Sequence, residues 1–316
     1  MISAGNTFFF PWEVSFMVSL QAALSDTWAG ILSFLSMFGE EIFLILVIGT
    51  LYWGIDKALG RRAGLNVLIV NVWFPMIKNI ALRRRPYMDH EGIRILRLID
   101  PSADAGDIAA QGYSFPSGHS GNAAALFTSL AAAFKKKWLT VAAVAMCLLV
   151  GFSRVAMGAH YPSDVLAGWG IGAAVALLIP FLERKIRSRP LFHALILLTG
   201  VPGLFFCRST DYFSGFGLLI GFVAGTALEE KAVRFENTRS VVRILLRAAG
   251  GIVVFLILNK ALKLPFDRAW LSGNSLGSLI VRCARYAVIS FVGFGVYPML
   301  FGWTGKFFRG KKAERE

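Results

Sequence analysis

Residues 138-WLTVAAVAMCLLVGFSRVAMGAHYPSDVLAGWGIGAAVALLIPFL-182 decide what kind of protein this is. Two apolar runs, near 138–155 and 163–182, are separated by a short turn. The only acidic or basic side chains of the Asp, Glu, Lys, Arg and His types in the whole stretch are Arg154, His160 and Asp164. Each run approaches the ~20 residues that cross ~30 Å of hydrocarbon. Lipid offers a backbone N–H no partner, so such runs are helices. Charges at the junction of two such helices are costly there, which makes them candidates for function.

The same grain extends in both directions. The chain is 56% hydrophobic and only 16% charged, against ~25% charged for soluble domains. Further crossings are expected near 41–56, 63–82, 118–134, 191–207, 214–230, 243–260 and 279–302, nine in all. Residues 11–24 are amphipathic and suit the membrane interface. The stretch 25–40 reads as a further helical piece, although Gly39, Glu40 and Glu41 argue against a deep crossing. The fold class is therefore all-α, a polytopic transmembrane helical bundle. Its expected parts are an interfacial segment (1–40), a core (41–207) and additional C-terminal helices with a basic tail (208–316). Cys147, Cys207 and Cys283 lie in or beside apolar runs without metal-type spacing and read as packing residues. The amino terminus lacks a basic region and cleavage site, so no removable signal peptide is expected.

A formal charge of +14 suggests nucleic acid, but its distribution argues against that partner. Lysine and arginine concentrate in alternate short loops: Lys57, Arg61 and Arg62; Lys135–Lys137; Arg184–Arg189; Lys231–Arg243; and the tail from Lys306 to Arg315. This is the bias that places loops in the cytoplasm. Nine spans then put the amino terminus outside and the carboxyl terminus inside.

Three polar blocks fall on the other, less basic face. The first is Lys78-Asn-Ile-Ala-Leu-Arg-Arg-Arg85-Pro86. The second is Pro116-Ser117-Gly118-His119, where the long loop of about 83–117 meets the third span. The third is Ser153-Arg154, then His160, then Asp164. Phosphoryl transfer spreads negative charge over equatorial oxygens and needs fixed cations and donors. Lys78, Arg85 and Arg154 are such cations. Ser117 and Gly118 open a helix whose free N–H groups favour an anion; Pro116 fits just ahead of it. A neutral imidazole can attack phosphorus if its other nitrogen is held. Asp164, four residues after His160, can hold it, and His119 can protonate a leaving oxygen. No acidic cluster suggests a divalent-metal cage, so neither metal nor other cofactor is expected. Each block alone has an ordinary reading: a snorkelling lysine, a headgroup-binding arginine loop, a helix start, a structural His–Asp pair. Together they point to one site.

At these residues the sequence resembles the type 2 phosphatidic acid phosphatase superfamily, with its K-x6-R-P, P-S-G-H and S-R-x5-H-x3-D pattern. The resemblance covers roughly residues 40–205. It implies a six-helix phosphatase core, with about three extra C-terminal spans outside it. It also implies His160 as nucleophile through a phosphohistidine, Asp164 as its partner and His119 as acid. Lys78, Arg85, Ser117, Gly118 and Arg154 would bind phosphate, with Pro86, Pro116 and Ser153 in support and no metal. The implied substrate is a lipid phosphate or isoprenoid diphosphate reached among membrane lipids. A lipid phosphotransferase and a non-catalytic lipid-phosphate binding or transport protein are the alternatives. Asp89 and His90 read as a solvated loop, Glu40 and Glu41 as a helix junction, and Arg282 and Arg285 as candidate headgroup ligands.

Overall fold

A computed structural model describes residues 5–302. The helices run α1 (Pro11–Ala23), α2 (Asp26–Ser36), α3 (Glu41–Thr50), α4 (Lys57–Ala81), α5 (Pro86–Asp89), α6 (Ile108–Gln111), α7 (Gly118–Phe134), α8 (Lys137–Ala156) and α9 (Pro162–Lys185). After these come α10 (Arg189–Gly200), α11 (Gly203–Phe206), α12 (Thr210–Leu228), α13 (Val241–Ala261), α14 (Arg268–Ser272) and α15 (Leu276–Phe291). Wide π-type turns extend α3, α12 and α15 by five residues each.

Seven helices among the described residues are long and apolar enough to cross a membrane, and a bent pair, Asp26–Gly39 with Glu41–Ile55, broken by 50°, is long and apolar enough when its two limbs are taken together. The crossing expected at 41–56 is thus the second limb of a broken helix. Its first limb is the piece read at 25–40. The ninth expected crossing, α7, has 17 residues and is ~26 Å long, slightly short of the hydrocarbon thickness. It is packed among other helices rather than against lipid, with Ala123, Ala125 and Leu126 fully buried. The end of the tail, 303–316, lies outside the described residues.

One core of buried residues threads α3, α4, α7, α9, α10, α12 and α15, with Ile69, Leu126, Ile179, Phe213 and Leu279 among its members. Lipid is as apolar as leucine, so close packing rather than water exclusion holds such helices together. Small residues make that possible. A Cβ on Gly168 of α9 would stand 2.7 Å from the Ser117 carbonyl oxygen. The start of α7 therefore lies directly against α9 near Asp164. Outward-facing Leu245, Leu256 and Ile257 of α13 are exposed, as a lipid-facing surface requires.

Candidate active site

α4 is capped by Leu82, which takes a left-handed conformation (φ 53°) and whose N–H bonds the Lys78 carbonyl. The chain then bonds to Asn6: Asn6 N donates to Leu82 O at 2.6 Å and Arg84 N to Asn6 O at 2.9 Å. Across the bundle α8 ends at Ala156, and His160 precedes α9. The Ser117 N–H donates to the Asp164 carbonyl at 3.0 Å, joining the second sequence block to the third.

Asp164 is fully buried. One oxygen accepts from Arg83 Nη1 at 2.7 Å; the other accepts from the Tyr161 N–H at 2.8 Å and from Ser114 Oγ in a short contact. That second oxygen lies 3.6 Å from His160 Nδ1, and Ser114 Oγ lies 3.4 Å from the same nitrogen. On the far side of the ring, Nε2 is 3.4 Å from Arg85 Nη1. Burial, reinforced by the charges of Arg85, Lys78 and Arg154, holds the His160 pKa well below its ordinary value. The imidazole is neutral at neutral pH.

Three cations surround this ring. Arg85 is locked by its Nε to the carbonyls of Gln111 and Gly112 and by Nη1 to that of Ala159 at 2.9 Å. Lys78 gives one bond to the Tyr113 carbonyl at 2.8 Å and has two further donors. Arg154 donates Nη1 to Ser36 Oγ at 2.7 Å, while its buried Nε has no partner among the described residues. A buried N–H without an acceptor is costly, and an anion beside it would remove that cost. Ser117 caps α7, its Oγ accepting from Ser120 N, while the first N–H groups of the helix stay free of intrahelical partners. The space a Gly118 side chain would fill is open. The His119 ring makes no hydrogen bond among the described residues; it is backed by Gly39, where a Cβ would stand 2.8 Å from His119 Cβ.

The structure thus brings together Lys78, Arg85, Ser117, Gly118, His119, Arg154, His160 and Asp164. Of the supporting residues, Pro86 opens α5 and Pro116 precedes the α7 cap. Ser153 spends its hydroxyl on the Val150 carbonyl within its own helix and makes no side-chain hydrogen bond to a site group among the described residues. Asp89 pairs with Arg84 at 3.0 Å, His90 packs edge-on against Phe9, and Glu40 pairs with Arg97 at 2.8 Å.

The sequence did not single out Glu13, Arg83, Ser114 or Ser36. Arg83 is 1% exposed and lies between the rings of Phe8 and Tyr161, 4.6 and 4.0 Å from their centroids. It joins Asp164 to Glu13, which it meets at 2.9 Å. Glu13 also accepts from the N–H groups of Ser163 and Phe10. Helix α1, read as interfacial, therefore carries a buried carboxylate to within one residue of the His160–Asp164 pair.

A decaprenylphosphoryl-5-phosphoribose phosphatase of Mycobacterium tuberculosis is 33% identical over 178 residues, 53% of this chain and 88% of that protein. An undecaprenyl-diphosphatase of Sulfolobus acidocaldarius is 28% identical over 160 residues, 49% of this chain and 70% of that protein. A transmembrane PAP2 type phosphatidylglycerolphosphate phosphatase from Bacillus subtilis, solved by crystallography, aligns with a TM-score of 0.44 at 23% identity over 55% of this chain and 86% of that one, too distant to add weight. Residues 61–187 match the PAP2 superfamily, and residues 213–309 match the transmembrane extension of PAP2 superfamily phosphatases. With the first match holding every motif residue and the second covering the added helices, the chain belongs to the PAP2 superfamily of membrane phosphatases.

Proposed function

We propose that the chain hydrolyses a lipid-borne phosphomonoester or diphosphate through a phosphohistidine on His160. The observation that carries this reading is the polarity of the His160 ring. Nδ1 faces the Asp164 carboxylate and Ser114, while Nε2 faces the cationic side at Arg85. With the proton on Nδ1, the Nε2 lone pair meets phosphorus as Arg85, Arg154, Lys78 and the start of α7 take the equatorial oxygens. The Nε2–P bond forms, the P–O bond to the lipid breaks, and His119, which enters the step protonated once the anionic substrate fills the site, gives its proton to the leaving oxygen. His119 then takes a proton from water, whose oxygen displaces Nε2 and releases phosphate. Asp164 stabilises the imidazolium while it exists, and the charge on phosphorus is balanced by side chains, so no metal is required.

The names of the two relatives above refer to an undecaprenyl diphosphate and to a phosphoribose carried on decaprenyl phosphate, which favours a phosphate or diphosphate borne on a polyprenyl chain as substrate. Phosphate release from a panel of purified lipid phosphates, including undecaprenyl diphosphate and phosphatidic acid, tests the reading. Activity is expected to survive EDTA and to be blocked by vanadate, which mimics the equatorial oxygens. Dependence on added magnesium after EDTA would overturn the metal-free mechanism, and product formed only with an alcohol acceptor would make the protein a phosphotransferase.

The site is proposed to face the periplasm, extracellular space or an organelle lumen, since the opposite loops carry the heavier load of lysine and arginine. In a background lacking Cys147, Cys207 and Cys283, a cysteine in the 100–110 loop should react with a membrane-impermeant thiol reagent on intact cells. One in the 306–316 tail should not. Labelling of the tail alone would invert the topology.

A further inference from the structure

The 25 residues of α4 span ~37 Å and carry the catalytic blocks at one end. At the other end Lys57 donates to the Phe235 carbonyl at 2.8 Å. Beside Phe235 lies a cavity of about 630 Å³, on the face of the bundle opposite the candidate active site and built by the C-terminal helices. Its lining includes Arg234, Arg243 and Arg247, with Phe235 and Phe301 as aromatic residues and Glu236 as the only acid among the described residues.

The charge balance around this cavity is unusual for its surroundings. Nearby cations are matched: Lys57 pairs with Glu229 at 2.9 Å, Arg61 with Glu183 and Glu230, and Arg189 with Glu230 at 2.7 Å. Arg234, Arg243 and Arg247 have no carboxylate within ion-pair distance among the described residues. Arg247 is held in place by Nη1 bonds of 2.9 Å to the carbonyls of Trp53 and Glu236, and its guanidinium lies 4.3 Å from the Phe301 ring centroid. Its Nε is buried with no acceptor among the described residues. Helix α13, 21 residues long, begins at the same place, and its N-cap Ser240 makes no side-chain cap bond. The positive end of that helix adds to the three guanidiniums.

Three like charges, an orphaned donor and an uncapped helix start around one cavity call for an anion. The setting says which kind. The cavity sits at helix ends with an aromatic floor, as at a membrane interface. Val241, Val242, Leu245, Leu246, Met299 and Leu300 are exposed beside it, an apolar surface along which hydrocarbon chains can run. We propose that this cavity binds the phosphate headgroup of an anionic glycerophospholipid in the leaflet opposite the candidate active site. The headgroup phosphate takes the Arg243 and Arg247 donors, and the acyl chains lie along α13.

The test is native mass spectrometry of the full chain in detergent, titrated with phosphatidylglycerol and, separately, with phosphatidylcholine of the same acyl chains. The wild type is expected to bind phosphatidylglycerol at least tenfold more tightly. The double variant Arg234→Gln/Arg243→Gln, which leaves the structurally bonded Arg247 in place, should lose that preference while keeping its helicity and melting temperature. Should Arg234→Gln destabilise the left-handed turn it occupies, the single Arg243→Glu change serves alone, and the same loss is expected. An unchanged preference in a folded variant would overturn the proposal. So would displacement of the lipid by submillimolar inorganic phosphate, which would mark a site for a soluble anion. Binding seen only after removal of residues 303–316 would overturn it too, giving the cavity to the chain's own tail.

Discussion

Turnover is expected to fall by roughly three orders of magnitude or more when His160 becomes alanine, and by a comparable factor for His119→Ala, since members of one catalytic unit fail nearly together. The two variants should differ in what they retain. His160→Ala removes the atom that bonds phosphorus, so no acid-labile phosphoenzyme can be trapped from a radiolabelled substrate. His119→Ala keeps Nε2, and a good leaving group that needs no proton, such as p-nitrophenolate, should restore part of its phosphoenzyme formation. Near wild-type turnover in folded His160→Ala protein would remove the nucleophile assignment. The depressed His160 pKa adds a condition on pH. The folded ring binds its proton less well than a free imidazole of pKa 6.5, so the nucleophile should remain available as pH falls through 6.5. The linkage has the matching sign: the ring's contribution to stability is full above 6.5 and is lost as pH falls toward the folded-state pKa, because the unfolded chain then binds more protons.

The second large effect is on Arg83. Arg83→Gln leaves Glu13 and Asp164, both fully buried, without their shared cation. Removing one partner from a buried ion pair costs about 3–5 kcal/mol, and here two carboxylates are stranded by one change. A large drop in melting temperature is expected, with loss of activity even in the folded fraction, because Asp164 gains a proton or turns away from Nδ1. Glu13→Gln should be milder, since Arg83 then serves Asp164 alone. Combined with Arg83→Gln, it should restore part of the lost stability, which a double-mutant cycle reads directly. If Glu13 acts only as a packing residue, Glu13→Gln will change the melting temperature and leave the pH–rate profile where it was. A shifted profile shows that it positions Asp164 through Arg83. Additive effects of the two substitutions would dismiss the coupled triad altogether.

His160, Asp164, Arg85 and the start of α7 were legible in the sequence because their spacing is local: four residues around a helix start, or a proline after an arginine. The long helices were legible because hydrocarbon imposes a length on them. Glu13, Ser36 and Ser114 were hidden for the converse reason. Glu13 meets Arg83 across 70 residues, Ser114 meets Asp164 across 50 and Ser36 meets Arg154 across 118. No periodicity reports contacts of that range. Arg83 stood in view within the run Arg83-Arg84-Arg85, but nothing in the run says that Arg83 points to carboxylates and Arg85 to carbonyls. The bend between Asp26–Gly39 and Glu41–Ile55 escaped because hydropathy counts apolar residues without registering direction. Gly39 signalled a break, and its contact with His119 gives that break a purpose.

The bond from Glu13 to the Ser163 N–H, spanning 150 residues, also bears on how the protein is made. At roughly 5–20 residues per second, α1 leaves the ribosome roughly 8–30 seconds before the start of α9 exists. Throughout that interval Glu13 has neither Arg83 nor Ser163 in final position, and the helix bearing it has nowhere to bury a carboxylate. Glu13 can complete its bonds only once the turn before α9 exists, and with it His160, the proposed nucleophile. The candidate site therefore cannot be complete until about half of the chain has been made. A ribosome stalled shortly after α9 has cleared the translocon marks the earliest point at which the completed triad of Glu13, Arg83 and Asp164 can shield α1 from added protease.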